Sequence, residues 1–311
     1  MTRLPLLLFV GMATEDSIAV VKRYPGPDER VVAETIEVSG GGPAATAAVA
    51  AARLGMRTGI MAAVGDDQAG TLVRDRLTAE GVDVSGLRTV RGARTSRSMV
   101  VISGSEQSRA IVNRSGPPIE WTSEDDHRIA GAEWVHVDHH GWAPVRTASA
   151  RLGGTAQLSI DAGNPIEDLD LAGTALYVPT MPALRERYGH DGTGDVATLM
   201  GRALDDGAER VVVTDGARGG YGMADDRQLL HVSPPEAPVR STLGAGDVFH
   251  GALLAGLIHA EHGQIAQHLR AAIAYATTTA TLSCRAIDGR SGIPEHTEVL
   301  SYLDPVHTNE G

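Results

Sequence analysis

The chain has 311 residues, of which 42% are hydrophobic, so it is long enough for one large α/β core or two smaller ones. Its formal charge of −12 argues against nucleic acid or an anionic membrane surface as a partner. The single cysteine, Cys284, excludes an internal disulfide and fits a reducing compartment. The apolar run Leu4–Val10 is too short for a signal peptide, and no run approaches the roughly 20 apolar residues of a membrane span. We therefore expect a soluble cytoplasmic protein.

The N-terminal third of the chain predicts one core strand and a separate small sheet. Leu6–Val10 is a continuous apolar run, as in a parallel strand buried on both faces. Ile18–Val21 and Val31–Val38 are rich in β-forming residues, and polar and apolar residues partly alternate in the second run. Ser96–Ser103 and Arg109–Asn113 form another such pair. These four runs indicate a small sheet with one solvated face.

Glycines and small residues then predict a strand-to-helix turn. Gly40–Gly42 permits close approach of the backbone to a ligand, and Ala44–Leu54 is composed of strong helix formers. The spacing of a dinucleotide-binding G-x-G-x-x-G motif is not met. A second helix is expected over Gln68–Glu80, with Asp66 or Asp67 as its N-cap.

The rest of the chain alternates predicted strands and helices. Strands are expected at Trp134–Asp138, Gln157–Asp161, Thr174–Val178 and Val211–Thr214, and a late helix over Gln264–Leu282. Repeated alternation of this kind predicts a mostly parallel sheet with helices on both faces.

The segment Ser241–Gly256 carries the most informative chemistry. The turn Gly244-Ala245-Gly246 precedes an apolar run of helical character, so free backbone N–H groups and the helix dipole would form an anion site. Asp247 would repel an anion, but it could take a proton from a nucleophile that attacks one. The segment therefore indicates phosphoryl transfer. The alternative is that Asp247 only caps the helix.

A second pattern favours a different chemistry. His136, Asp138 and His140 alternate along a predicted strand, so they would share one face. That spacing could bind a metal ion and would suggest a metal-dependent hydrolase.

Two separated motifs resemble signatures of the ribokinase-like (PfkB) carbohydrate kinases. The first is Gly40-Gly-Gly-Pro-Ala-Ala-Thr46 with its helix ending at Leu54-Gly55, and the second is Thr242-x-Gly-Ala-Gly-Asp247. The similarity extends over nearly the whole chain, and the wording of these motifs and of Gly289–Pro294 is closest to bacterial sulfofructose kinases. The resemblance implies a three-layer α/β/α core, formed by 1–12, 39–95 and 116–311, and a β lid formed by 13–38 and 96–115.

The resemblance also implies a set of site residues and ligands. It implies Asp247 as general base, an anion hole at Gly244, Ala245 and Gly246, and ATP and Mg²⁺ as cofactors. An exposed face on the small sheet also predicts a homodimer formed through the lid. The implied sugar-binding residues are Asp16, Arg30, Gly41, Gly42, Thr46, Asn113, Asp138 and His140, and the implied nucleotide-binding residues are Thr214, Gly216, Gly219, Thr242 and Thr277.

Three positions depart from the family pattern. Pro179–Ala183 lacks the acidic residues that help to organise magnesium, and Ser241 replaces an aspartate of a monovalent-cation loop. His140 stands where sulfofructose kinases place an arginine, while Arg30 and Asn113 match those enzymes. The sequence thus predicts an ATP-dependent kinase for a ketose, either fructose-like or sulfofructose-like. The alternatives are a nucleoside kinase of the same fold and a non-catalytic sugar or nucleotide sensor.

Overall fold

The computed structural model describes residues 6–106, 108–152, 156–189, 194–263 and 268–303, with the side chains of 149–152 excepted. The strands are β1 Leu6–Val10, β2 Thr14–Val21, β3 Ala33–Gly41, β4 Arg57–Gly65, β5 Asp83–Val90, β6 Arg97–Ser103, β7 Ser108–Arg114, β8 Trp134–Val137, β9 Gln157–Ala162, β10 Leu176–Pro179, β11 Val211–Thr214, β12 Gly220–Met223 and β13 Leu230–Val232. The helices are α1 Pro43–Arg53, α2 Gln68–Ala79, α3 Ser123–Ala130, α4 Trp142–Leu152, α5 Met181–Tyr188, α6 Val196–Asp205, α7 Ala245–Glu261, α8 Leu269–Ser283 and α9 His296–Leu303.

The larger sheet forms the central layer of the molecule. Its order among the described strands is β13-β12-β11-β10-β9-β8-β1-β4-β5, and all neighbours from β11 to β5 run parallel. Successive side chains of β1 lie on opposite faces of the sheet. Leu7 and Phe9 pack in the core with α1, α2, α7, α8 and α9, whereas Leu8 and Val10 pack in the core with α3 to α6. The predicted mostly parallel sheet between two helical layers is confirmed.

The smaller sheet consists of β2, β3, β6 and β7 in the order β3-β2-β6-β7. Here β2 pairs with β6 in parallel and with β3 antiparallel, so this sheet is mixed. The four predicted runs are confirmed as strands, but β2 already begins at Thr14 and β3 continues to Gly41. Gly40 and Gly41 therefore lie in a strand, and the boundary between lid and core stays a prediction.

Local signals set the ends of the helices. Gly42, at φ 91°, precedes α1, and Pro43 occupies the first turn, where its missing N–H is no loss. Asp67 caps α2 by accepting a hydrogen bond from the Gly70 N–H, as predicted for this pair of aspartates. The late helix begins at Leu269 instead of Gln264, and 264–267 lie outside the described residues. The strand predicted at Thr174–Val178 is shifted to Leu176–Pro179.

Helix α7 is buried along nearly its whole length between α1 and α8. Gly251 makes this possible, because a Cβ at this position would overlap the carbonyl oxygen of Ala47 in α1. The small side chains of α1 have the same effect, since all residues from Ala44 to Ala51 are buried. The close α1–α7 contact fixes the direction in which α7 presents its first turn.

We expect Gly251→Ala to lower the free energy of unfolding by about 1–3 kcal/mol, because the added methyl group overpacks a backbone contact. Gly131→Ala is the matched control. Gly131 ends α3 in right-handed helical geometry, at φ −88°, so alanine fits there without strain. Urea unfolding of both variants measures the difference. Equal stability of the two variants would contradict the close packing of α1 and α7.

Candidate active site

The first turn of α7 supplies free backbone donors. Gly244 is the N-cap at φ 73°, a conformation that favours glycine, and a Cβ there would lie 2.8 Å from the Gly289 Cα. The Ala245 N–H bonds the Thr242 carbonyl at 3.3 Å, whereas the N–H groups of Gly244, Gly246 and Asp247 bond no described residue. The three free groups lie at the positive end of the α7 dipole. This geometry can hold an anion.

Asp247 is the third residue of α7, so it does not cap the helix. The alternative role as N-cap is wrong, because Gly244 takes that position. Asp247 is partly exposed, but the protein around its carboxyl group and the neighbouring Asp161 raise its pKa to about 7. A carboxylate with this pKa can both accept and release a proton near neutral pH.

The inner face of the small sheet carries a row of polar residues. Strand register places Ser39, Asp16, Ser98 and Asn113 side by side on β3, β2, β6 and β7. Asp16 is buried and accepts a hydrogen bond from the Thr14 hydroxyl at 2.7 Å, so further acceptor positions remain for sugar hydroxyls. The Asn113 amide lies 3.3 Å from the Ser98 hydroxyl. The row thus brings two predicted sugar-binding residues together.

Gly41, Gly42 and Thr46 lie beside this row. A Cβ at Gly41 would overlap the carboxylate of Asp16, which explains the glycine. The Thr46 hydroxyl accepts a hydrogen bond from Arg290 Nε at 3.2 Å, and Arg290 Nη2 donates to the Gly41 carbonyl at 2.8 Å. Because Thr46 accepts from Arg290, its own proton points elsewhere and can bond a ligand.

The carboxylate of Asp138 is engaged by backbone N–H groups of two loops and of α1. Its Oδ2 accepts from the N–H groups of Met12 at 2.7 Å and Ala44 at 3.3 Å. Its Oδ1 accepts from those of His140 at 2.8 Å and Gly141 at 3.0 Å. Four backbone bonds fill the acceptor capacity of a carboxylate. Asp138 therefore holds the ends of β1 and β8 against α1, and direct contact with a sugar stays a prediction.

The remaining residues predicted for the far end of the sugar, His140 and Arg30, lie on different segments. His140 lines a cleft with Met12, Ser96 and Ile119, and burial and the adjacent His139 lower its pKa. It is therefore neutral at neutral pH and offers no charge for a sulfonate. Arg30 is exposed between β2 and β3, and its side chain bonds none of the described residues.

The predicted nucleotide-binding residues lie on three segments. Thr214 ends β11, and a short 3-10 helix at Gly216–Arg218 leads to Gly219, with positive φ at both glycines. Thr242 accepts a hydrogen bond from Arg109 of β7 at 2.9 Å, so the small sheet reaches the anion site. Thr277 is buried in α8, and its hydroxyl has no partner among the described residues.

The metal hydrolase interpretation is not supported by the arrangement of its residues. His136 is buried and bonds the Ser159 hydroxyl at 3.0 Å, whereas Asp138 faces backbone N–H groups. Among the described residues, the three-residue group with metal-ligand chemistry is instead His136, Asp161 and His250, whose ligand atoms lie within 4.8 Å of one another. The sequence analysis missed this group because its members come from three distant segments.

The group does not fit magnesium. Two of its three members are imidazoles, whereas Mg²⁺ prefers oxygen ligands, and His250 and Asp161 already form an ion pair. The segment Pro179–Ala183 begins α5, which Thr180 caps by accepting from the Ala183 N–H at 3.3 Å. It offers no carboxylate. The described residues thus provide no preformed oxygen cage for Mg²⁺.

Comparison with known proteins identifies the family. The pfkB family of carbohydrate kinases matches residues 5–296. The chain belongs to this family. Over 91% of the chain it is 31% identical to an acarbose 7(IV)-phosphotransferase of Actinoplanes sp., of which 95% is covered. It is 29% identical to a fructokinase of Klebsiella pneumoniae, covering 89% of this chain and 94% of that protein.

A solved structure confirms the fold. Arabidopsis thaliana ribokinase complexed with ribose and ATP superposes with a TM-score of 0.82 at 22% identity, covering 97% of this chain and 99% of that one. The predicted family and ribokinase-like fold are therefore confirmed, and the chain is a carbohydrate kinase. The finer resemblance to sulfofructose kinases stays a prediction. No helix in the described ranges is long and apolar enough to cross a membrane.

Sequence reasoning missed Arg290 as a site residue. It is only 5% exposed, and burial lowers its pKa to about 10, so it is a buried cation, with Asp16 and Asp247 among the anions that oppose this shift. A Cβ at Gly40 would overlap its guanidinium. One signal was available in the sequence. Arg290 lies within the third shared motif, Gly289–Pro294, and Asp288 is the one acidic residue beside that motif on its N-terminal side.

We expect Arg290→Met to raise the KM for the sugar by about tenfold or more, because Thr46 and Asp16 lose the cation that orients them. Steady-state kinetics measures this, and circular dichroism confirms folding. Arg290→Lys keeps the charge but loses the planar guanidinium group, so its KM for the sugar should lie between those of the native protein and Arg290→Met. Arg185→Met, at an exposed position of α5, is the control with an expected change below about twofold. An unchanged KM in folded Arg290→Met would contradict the role.

Proposed function

We propose that this protein transfers the γ-phosphoryl group of ATP to a hydroxyl of a ketose, with Asp247 as general base. The observation that carries the proposal is the first turn of α7, where free N–H groups and a carboxyl with a pKa of about 7 lie side by side. The N–H groups would bind the charge that develops on the phosphoryl group, and losing one such donor typically costs about 3–4 kcal/mol. Two relatives, named a fructokinase and a ketohexokinase, support a ketose, and the ribokinases among the relatives make ribose the sugar to compare with it.

The small sheet would hold the sugar against α7. Asp16 and Thr46 would bond sugar hydroxyls, and Asn113 would contact the far end of the sugar. Because His140 is neutral and Arg30 is exposed, neither would balance a negative charge at the far end of the sugar. A fructose-like substrate is therefore preferred to a sulfonated one. Closure of the small sheet would exclude water from the transfer.

ATP would lie across the segments that contain Thr214, Thr242 and Thr277. The positive φ of Gly216 and Gly219 turns the backbone after β11, and Arg109 would add a positive charge close to the phosphates. Mg²⁺ would arrive with the phosphates and keep most of its water ligands, as this ion commonly does. A cytoplasmic location is also part of this proposal.

A substrate panel tests the proposal. ADP release is measured with magnesium ATP and fructose, sulfofructose, ribose or adenosine, in the native protein and in Asp247→Asn. We expect fructose to be preferred, and a loss of about 10² or more in the variant, as for removal of a general base. Preference for sulfofructose would contradict the uncharged far end, and preference for adenosine would favour a nucleoside kinase. Sugar binding without turnover would indicate a sensor.

The pH dependence of kcat/KM follows from Asp247. The group acts as a base only when it is ionised, and its pKa is raised to about 7 by burial and by Asp161. Activity should therefore be full above pH 8 and fall about tenfold per pH unit below pH 6. A pH–rate profile with a saturating concentration of ATP measures this. A profile that stays flat down to pH 5 would contradict Asp247 as the base.

We also propose that two copies pair through the outer face of the small sheet. The side chains of Ile36, Met99 and Val112 are 72%, 64% and 71% exposed, and strand alternation places them on the face opposite Asp16. An exposed apolar sheet face of this kind is typical of an interface.

Light scattering should find a dimer in the native protein and a monomer in Met99→Lys with Val112→Lys, because the two lysines place charge in the interface. Val239→Lys is the control, since Val239 is 60% exposed but lies outside the small sheet. A monomeric native protein, or a dimer that tolerates both lysines, would contradict this interface.

A further inference from the structure

A buried ion pair lies directly behind the proposed base. His250 follows Asp247 by three residues in α7, so the two residues lie about one turn apart on the same side of the helix. His250 Nε2 lies 3.2 Å from Oδ1 of Asp161, near the end of β9, and both side chains are more than nine-tenths buried. Neither residue was assigned a role by the sequence analysis.

The positive charge of the cluster belongs to His250. Burial alone would lower the pKa of His250, but Asp161 and Asp247 raise it above its ordinary value. In the neighbouring strand β8, burial and the nearby His250 lower the pKa of His136 to about 3, so His136 is neutral. Its Nδ1 bonds the Ser159 hydroxyl, which holds the ring beside His250.

Asp247 needs such a cation because carboxylates surround it. Asp161 of β9, Asp138 after β8 and Asp16 of β2 all disfavour its ionised form, whereas His250 favours it. Arg290 is another buried cation near these groups, and it bonds Thr46 and Gly41. Among the described residues, His250 is thus a cation that lies on the same helix as the base.

We propose that His250, held by Asp161, is a positioning residue that keeps Asp247 ionised and therefore able to accept a proton at neutral pH. The proposal rests on the proposed function of Asp247 as general base. The new element is the His250–Asp161 pair, which would set the pH range of the reaction. Both residues lie outside the motif Thr242-x-Gly-Ala-Gly-Asp247. A purely structural ion pair would affect stability and would change the rate equally at every pH.

His250→Gln tests the role of the charge, because glutamine keeps a donor to Asp161 but carries no charge. We expect the acid limb of kcat/KM to move up by about one pH unit, since an opposite charge nearby commonly shifts a pKa by this amount or more. The rate should fall about fivefold at pH 7 and stay within about 1.2-fold at pH 9. His259→Gln is the matched control, because His259 also lies in α7 but its Nε2 bonds the Leu54 carbonyl at the end of α1. Its acid limb should not move.

Asp161→Asn distinguishes a charge effect of His250 on Asp247 from a structural disturbance caused by loss of the ion pair. This variant removes an anion beside Asp247 and also the partner that keeps His250 charged, so its acid limb should move less than that of His250→Gln. Thermal unfolding shows whether each variant is folded. An unmoved acid limb in folded His250→Gln, or an equal movement in Asp161→Asn, would overturn the proposal.

A ¹³C-carboxyl NMR titration of Asp247, assigned by the signal that Asp247→Asn lacks, gives the same answer without turnover. The Asp247 signal should titrate near pH 7 in the native protein and about one pH unit higher in His250→Gln. If that shift occurs and no sugar is phosphorylated, the proposed reaction fails while the His250–Asp161 proposal stands. If sugar is phosphorylated and the signal does not shift, only the latter fails.

Discussion

The placement of the α7 N-terminus is the constraint on which the site depends. Gly244 can turn into the helix only because its positive φ and missing side chain let it pack on the Gly289 backbone. Gly251 then lets the same helix lie against Ala47 of α1. With both contacts fixed, the free N–H groups and Asp247 face the inner side of the small sheet. Backbone donors held in this way need no reorganisation when negative charge develops.

Charge balance is the second constraint. Asp16, Asp161 and Asp247 lie near one another, in a chain whose net charge is already −12. Ionised carboxylates that lie close together destabilise each other, and among the described residues the buried cations His250 and Arg290 lie beside them. The cations come from α7 and from the loop after α8, and the carboxylates from β2, β9 and α7. The balance therefore exists only in the folded protein.

The sequence predicted those parts of the structure that local signals determine. Apolar runs located the strands of the parallel sheet, and the turn before α7 indicated the free N–H groups of that helix, because both depend on neighbouring residues. It did not predict that Asp138 is engaged by four backbone N–H groups, since Met12 and Ala44 are distant in the chain. It also missed Arg290 and the His250–Asp161 pair, which depend on contacts 244 and 89 residues apart. Strand register, which sequence alternation alone does not fix, decided which polar residues share the row of Asp16.

The most direct test of the account is a crystal structure with the sugar, ADP and aluminium fluoride, which imitates the phosphoryl group during transfer. The account predicts an acceptor hydroxyl within about 2.6–3.2 Å of an Asp247 carboxyl oxygen. It also predicts fluoride or oxygen atoms within about 2.7–3.1 Å of the Gly244, Gly246 and Asp247 N–H groups. A phosphoryl analogue bound away from the first turn of α7, or a sugar hydroxyl held by another carboxylate, would contradict it.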